Sequence, residues 1–569
     1  MELSRAASLE AAALLAQAKA GGPGAALAAR RAALIAERAD IGLARQALAL
    51  AARLEPLDPA PRLALARLNA EAGDLAAART EAAAVLSEAV DQAACARAAF
   101  MLGTIARVEG DVAAARTAYE TVLRIEDALL ASNRNDPNAA RWYARARGCL
   151  AELDAGLGAH DRARSGAEGA LAMLRAAAAQ IGEPPVLAAD IADAEVRLAA
   201  LELDAGQPAS ARRRLGEAIG RYEALAVTEK EEPHWRAVLA DAWALAGEAD
   251  YARGAADSAR EAMDKALQAR LRLAARHSEE AWALAGTWRL RGALRAALGD
   301  AQEAADSFAQ ARALAEQLCR RAEGAEAPAR FLVHTLLDQA DHALHSGALD
   351  IAREAADSAR ALAEAFAAAA ASPAWFSEAG ACWDRLAELA RASGAPKQAQ
   401  DAFARAVAFR RRANSAGKPR TTRGLAAALV KLGEAALDLG ANEAARDAFN
   451  ESVGLRLQLA EAAPGDARAA HALAAALERL GLAALASGDR TAACSAWEDE
   501  LVLAERIFGD DDNAEGMRFR AIVESHLAGA GGPRAETHRR AALARFDILA
   551  KAAALTDKEA ALRRKLWGG

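Results

Sequence analysis

The segment KLGEAALDLGANEAARDAF (431–449) returns 48 residues later as RLGLAALASGDRTAACSAW (479–497) and stands 46 residues earlier as RLAELARASGAPKQAQDAF (385–403). Most side chains change while a skeleton persists, and such a recurrence constrains the fold more than any single motif does. Its glycines stand at Gly73, Gly110, Gly158, Gly206, Gly254, Gly299, Gly347, Gly394, Gly440 and Gly488, with successive spacings of 37, 48, 48, 48, 45, 48, 47, 46 and 48. Five residues after every one of them is an alanine, from Ala78 and Ala115 to Ala445 and Ala493. Seven residues before each stands only alanine or glycine, from Ala66 and Gly103 to Gly433 and Gly481. Two antiparallel helices joined by a short turn come closest where each presents a small side chain. The pattern therefore predicts helical hairpins whose backbones approach the lower end of the ~8–10 Å packing range. Nine residues after the glycine the side chain is often large, as in Tyr119, Leu215, Met263, Phe308, Phe403, Phe449 and Trp497. That position lies one turn beyond the alanine, and it is expected to fill the space between successive hairpins.

Composition agrees with helices. Hydrophobic residues make up 53% of the 569 residues but aromatics only 4%, and alanine dominates the apolar set, whereas strands favour β-branched and aromatic side chains. A second set of breaks falls between the glycines, including NRNDPN (133–138), GEPP (182–185), EKEEP (229–233), EGAEAP (323–328), SAGKP (415–419) and APGD (463–466). Proline and glycine end helices, so each unit holds two helices of about 20 residues. One such hairpin cannot bury its own apolar stripe, and stacking on neighbours is required.

This order of small residue, glycine loop, alanine and bulky residue resembles the tetratricopeptide repeat (TPR) family. Trp243, Trp288 and Trp383 stand four residues before Gly247, Gly292 and Ala387, where that family favours tryptophan. Ala44 and Ala78 are separated by the family's usual 34 residues, and LEPLDPAP (54–61) is similar to its inter-repeat linker. The main array departs by its 48-residue period, which lengthens each helix by about 10 Å at ~1.5 Å per residue. The resemblance covers roughly 24–510. It implies an all-α fold, a right-handed α-solenoid of stacked antiparallel helix pairs forming a TPR-like superhelix. Residues 1–60 are expected to hold a capping helix (3–19) and the first TPR-like unit, 61–510 the repeat array, and 511–569 a degenerate terminal pair of capping helices. Trp142, Trp235, Trp282 and Trp375 fall near the starts of first helices and are expected to pack between units.

The formal charge of −7, from 71 basic and 78 acidic residues, gives no basic surplus for a nucleic-acid partner. Five widely separated cysteines suit free thiols in a reducing compartment. Glu10 interrupts the N-terminal apolar stretch, which argues against a signal peptide, and no uninterrupted apolar run approaches the ~18 residues of a membrane span. A soluble, cytoplasmic protein is expected. The phosphate-binding, zinc-protease and serine-hydrolase motifs are all absent from the sequence, so a non-enzymatic protein without cofactor or metal is expected. GDDDNAEG (509–516) opens like a calcium loop, but Ile522 stands where the closing glutamate belongs, which favours a solvated linker. His334, Asp338, Asp341, His342 and His345 recur at helical spacing and could share a metal ion or a proton. An exposed polar stripe with His–Asp pairing is the preferred reading.

The TPR resemblance further implies that first helices line the concave surface, with facing positions two, three, six, ten and thirteen residues before the loop glycine. Over the nine repeats from Gly110 to Gly488 these places hold 11 acidic residues, 5 arginines and 2 histidines. From the Gly254 repeat onward the candidates for a partner-binding groove are Asp241, Glu248, His334, Asp341, His345, Asp384, Glu388, Glu434, Asp438 and Glu478, against Arg289 and Arg391. Such a field favours a basic partner. No asparagine or lysine occupies these places, which disfavours the family's carboxylate-gripping variant. The expected function is a protein-binding scaffold or adaptor that takes another protein or peptide with a basic segment. Neither nucleic acid nor membrane is an expected partner, and homo-oligomerisation is left open. The alternatives are a regulatory or sensor module that changes superhelix curvature on binding a partner or small ligand, and an acidic surface that serves only solubility.

Overall fold

In a computed structural model the described residues are 2–37, 39–89, 91–133, 136–228, 233–277, 280–322, 324–463, 466–509, 514–552 and 555–568. Among them the chain is helical and contains no strand. It divides into two compact units, Met1–Glu280 and Ala281–Gly569. In the first, α1 (Glu2–Ala20) packs on the hairpin α2 (Ala25–Ala36)/α3 (Ile41–Leu54). There follow α4 (Pro59–Glu71)/α5 (Leu75–Glu88), α6 (Gln92–Glu109)/α7 (Val112–Ser132), α8 (Pro137–Gly156)/α9 (His160–Ile181), α10 (Pro185–Asp204)/α11 (Pro208–Thr228) and α12 (Pro233–Ala252)/α13 (Ala256–Ala274). The second unit holds α14 (Ala281–Ala297)/α15 (Ala301–Arg321), α16 (Glu326–His345)/α17 (Leu349–Ala370), α18 (Pro373–Ala392)/α19 (Pro396–Ala413), α20 (Pro419–Asp438)/α21 (Asn442–Ala462), α22 (Ala467–Ala486)/α23 (Arg490–Phe508) and α24 (Ala514–Ala530)/α25 (Ala535–Lys551). A further helix, α26 (Asp557–Gly568), packs against both α24 and α25, so the C-terminal segment has three helices where a pair was expected.

Within each unit helices pack on their neighbours in the chain, and first helices also meet one another, as α6 with α8 and α16 with α18. Each unit is thus a stack of antiparallel helix pairs. From α6 to α23 the helices run 17 to 22 residues, as the long period requires.

The loop glycines end the first helices by one repeated device. All ten have φ between 70° and 87°, the left-handed region that costs other residues steric strain. Gly110 N–H donates to the Arg107 carbonyl (3.1 Å) and Asp111 N–H to the Ala106 carbonyl (2.9 Å), satisfying two carbonyls that the helix end would leave open. The same two bonds recur at every loop, down to Gly488 with Leu485 and Asp489 with Ala484. First helices begin with equal economy. Pro137 sits in the first turn of α8, and the Asp136 carboxylate accepts from the N–H groups of Asn138 (2.9 Å) and Ala139 (3.2 Å). Asp58 caps α4 and Asp466 caps α22, each by accepting from first-turn N–H groups of its own helix.

The ten alanines five residues after the glycines are buried, as are the small residues seven before them. The large residue nine after the glycine reaches the next hairpin, as expected: the Phe308 ring is 5.7 Å from that of His342 and the Trp497 ring 5.2 Å from that of His526. It also lies across the small residue of its own hairpin. A β-carbon built on Gly103 would stand 2.7 Å from the Tyr119 ring; on Gly292, 2.8 Å from Phe308; on Gly433, 2.7 Å from Phe449; on Gly481 it would run into the Trp497 indole. Side-chain direction explains this second contact, because helical side chains lean toward the N-terminus of their helix and so back toward the loop. Size is correspondingly exchanged across the seam. Where the earlier position is Ala66, Ala151 or Ala340, the later one is Ala82, Ala167 or Ala356. Leu215 opposite Ala199 and Phe403 opposite Ala387 are the exceptions.

The tryptophans pack as aromatic spacers. Trp142 meets Phe100 of the preceding hairpin at 5.3 Å, Trp282 meets Phe331 at 5.1 Å, and Trp375 stacks on Phe366 at 4.5 Å. Trp383 donates its indole N–H to Glu364 (2.8 Å) between the guanidinium groups of Arg360 and Arg405. One described stretch, Arg468–Ala486, has the length and hydropathy of a membrane span. It is the first helix of a hairpin, carries Glu478 and Arg479 near its middle, and packs between α21 and α23.

Candidate functional site

The face presented by the first helices carries charges that the structure arranges by rule. Number residues back from the loop glycine, and an acid at the sixth place meets a base at the ninth place of the next repeat. Glu152 accepts from Arg197 Nε (2.8 Å), and Glu388 pairs with Lys431 Nζ (3.1 Å). Glu434 accepts from Arg479 Nε (2.8 Å), and Asp341 contacts Arg385 Nε. These four bases, Arg197, Arg385, Lys431 and Arg479, are the only basic residues at the ninth place, and each follows a repeat with an acid at the sixth. A ladder of this kind fixes the register of one hairpin on the next. Each rung is partly exposed and is worth about 0–1 kcal/mol. Glu434→Lys should therefore destabilise by about 0.5–1 kcal/mol, and Glu434→Lys with Arg479→Glu should recover most of that loss in urea unfolding. No recovery would show that the two charges do not interact.

The candidates from the sequence divide accordingly. Asp341, Glu388 and Glu434 are rungs, and Asp438 accepts from Arg391 Nη2 (3.2 Å). His334 Nε2 lies 3.0 Å from Glu378 of α18, and His345 Nδ1 donates to the Asp341 carbonyl (2.7 Å). Asp241 is open to solvent but accepts from Arg270 Nη2 of α13 at 2.5 Å. Asp384 departs from expectation. It is 7% exposed and holds Arg410 of α19 at 2.5 Å, inside its own hairpin and not on an open face. The tenth place lies only about 60° around the helix from the small-residue seam, close enough for the partner helix to cover Asp384 and to set Glu478, at the same place in its repeat and half-buried, beside Glu500 of α23.

Two candidates, Glu248 and Glu478, have neither an ion pair nor a side-chain hydrogen bond among the described residues. Glu248, on α12, stands beside Asp204 of α10, which likewise lacks a described partner; crowding by surrounding protein, then the Asp204 charge, raises the Glu248 pKa. Glu478, on α22, lies near Glu500 of α23, which is 2% exposed, has an unpartnered Oε2, and is pushed up to about 9 by burial and then by the Glu478 charge. The eight-to-two acidic excess read from the sequence is thus largely neutralised, leaving Asp204/Glu248 in the first unit and Glu478 in the second. Summing five positions per helix missed the bases at the ninth place. The signal was available in the covariation of sixth and ninth places across repeats.

The histidine-rich stretch of α16 resolves into separate contacts. Besides those named, Asp338 accepts from Arg289 Nε (2.5 Å), and His342 Nε2 lies 3.0 Å from the Ala301 carbonyl with its ring 5.7 Å from that of Phe308. Among the described residues no three His, Cys, Asp or Glu side chains are grouped to share a metal ion. The calcium-loop-like 509–516 falls largely outside the described residues. All five cysteines are free thiols.

The chain matches no protein-family model and no curated protein sequence. Solved structures similar to it include BtubC (BKLC) from P. vanneervenii, at 17% identity and a TM-score of 0.37, covering 46% of this chain and 94% of that one. Yeast Tom70 is similar at 13% identity and a TM-score of 0.40, over 89% of this chain and 96% of its own. The apo form of RapI is similar at 11% identity and a TM-score of 0.43, over 71% and 98%. At these scores the likenesses carry no functional argument, and the stacked-hairpin architecture stands on the helix packing itself.

Proposed function

We propose that this chain is a non-enzymatic protein-binding scaffold of the TPR-like, long-period kind, in which the first helices of each unit separately offer seats to a basic segment of another protein. The observation that carries this is the selective pairing of charge. Four acids at the sixth place, Glu152, Asp341, Glu388 and Glu434, are each matched by a base, while a fifth, Glu248, together with Asp204 and Glu478, is left with no partner of its own among the described residues. Uncommitted carboxylates on an otherwise neutralised face give a partner's cations defined places to seat, and like-charge neighbours favour a cation over solvent.

The test is fluorescence anisotropy with a labelled hexalysine peptide. Asp204→Lys/Glu248→Lys/Glu478→Lys should weaken binding at least tenfold with an unchanged circular-dichroism spectrum. Replacing the rung acids Glu388 and Glu434 with glutamine, which leaves Lys431 and Arg479 in place, should weaken it less. Equal affinity for wild type and triple variant would remove the proposal.

A further inference from the structure

Buried polar atoms without partners gather at one junction of the second unit. On α23, Glu500 is 2% exposed with its Oε2 unsatisfied. On α24, His526 has a buried Nδ1 that likewise finds no partner. On α22, Glu478 faces both, since its charge acts on Glu500 and on His526. Trp497 locates the three relative to one another. Its indole lies on Gly481, one turn from Glu478, its ring is 5.2 Å from that of His526, and it stands one turn before Glu500. Burying a carboxyl and an imidazole nitrogen without hydrogen bonds costs free energy that a ligand supplying donors would relieve.

The nearby cations are engaged elsewhere. Arg479 is held by Glu434 and the Ala475 carbonyl, Arg518 by Glu559, and Arg520 by the Gly509 carbonyl. His538 of α25 is influenced by Glu498, on the same helix as Glu500 but about 200° around it. The junction therefore offers acceptors from three helices: two carboxyl groups and one imidazole nitrogen.

We infer that the junction of α22, α23 and α24 is a seat for one primary ammonium group, a lysine of the basic segment, entering past Glu478 to reach Glu500 and His526 Nδ1. This rests on the scaffold reading above and names where one cation goes. An ammonium carries three donors on a compact, rotatable head, which suits acceptors supplied by three separate helices, and its alkyl stem can lie along apolar surface. A guanidinium presents a planar fork suited to one bidentate carboxylate and fits the arrangement less well. Glu500 is protonated at neutral pH, so seating the ammonium requires that carboxyl to ionise, with its proton leaving to buffer. His526, lowered by burial, is neutral at pH 7 and accepts without proton exchange.

The test is calorimetric titration of the full chain with hexalysine at pH 7.0 in buffers of different ionisation enthalpy, repeated with Glu500→Gln and with hexaarginine. Wild type should release about one proton per peptide bound. Glu500→Gln should remove that release and weaken binding tenfold or more while remaining folded by circular dichroism. Hexaarginine should bind more weakly than hexalysine. Unchanged affinity and proton release in Glu500→Gln would overturn the seat, and so would equal affinity and proton release for the two peptides. If Asp204→Lys/Glu248→Lys still weakened hexalysine in that case, the scaffold reading would survive. No hexalysine binding by wild type would overturn both.

Discussion

Gly433→Ala lowers stability by about 1–3 kcal/mol, although replacing glycine by alanine inside a helix ordinarily gains up to about 1 kcal/mol. The reversal of sign is the diagnostic. A β-carbon at this position would lie 2.7 Å from the Phe449 ring, which is fully buried. Phe449→Ala should cost about 3–5 kcal/mol by opening a cavity. Combining the two should cost less than Phe449→Ala alone, because the new methyl enters the space the ring has left. That alanine–alanine arrangement is native at Ala151/Ala167 and Ala340/Ala356. Gly454→Ala in α21 is the control: nothing lies within 4 Å of where its methyl would stand, and it should stabilise. Urea unfolding measures all four variants. Additive losses at 433 and 449 would show that these residues do not touch.

Glu500→Gln raises stability at neutral pH, by about 3 kcal/mol. In the folded protein the Glu500 carboxyl is pushed up to about 9 from an ordinary 4.5, burial being the larger cause and Glu478 the second. A raised folded pKa means that stability is fully present below about pH 4.5 and is lost as pH rises through 9. At pH 7 the loss spans about 2.5 pH units at ~1.36 kcal/mol each. Glutamine has no proton to withhold, so its unfolding free energy should be flatter between pH 6 and 9, with a melting temperature higher by on the order of 5 °C at pH 7. Glu126 in α7, pushed up to about 7 chiefly by burial and with both oxygens unpartnered, contributes the same sign. The Glu500 effect is therefore the difference between variant and wild type. Parallel pH profiles would mean that Glu500 is ionised and solvated in the folded chain.

Hairpins, their loop glycines and the small-residue seam were legible in the sequence because each is a local, periodic demand. A left-handed turn needs glycine at Gly440 and Gly488 alike, and close backbones need Ala445 and Ala493. The reach of Trp497 to the next hairpin was legible, but the contact of Phe449 and Trp497 with the glycine of their own hairpin was not, since spacing places them on a face but does not say how far a ring leans along the helix. The charge balance was hidden for a related reason. Glu388 and Lys431 are 43 residues apart, on different repeats, and only the stacking register reveals that they neutralise one another. Asp384 reads as a groove residue until Arg410, 26 residues later, is seen to cover it. The ammonium seat combines Glu478, which the sequence singled out, with Glu500 and His526, which no periodic rule marks.

Carboxyl footprinting by carbodiimide and glycine ethyl ester, read by mass spectrometry with and without hexalysine, tests the binding face most directly. Asp204, Glu248 and Glu478 should label faster than the paired Asp384, Glu388 and Glu434, and hexalysine should protect the first three. Protection that is absent, or spread evenly over exposed carboxylates throughout the chain, would contradict a face on which charge has been left uncommitted for a partner.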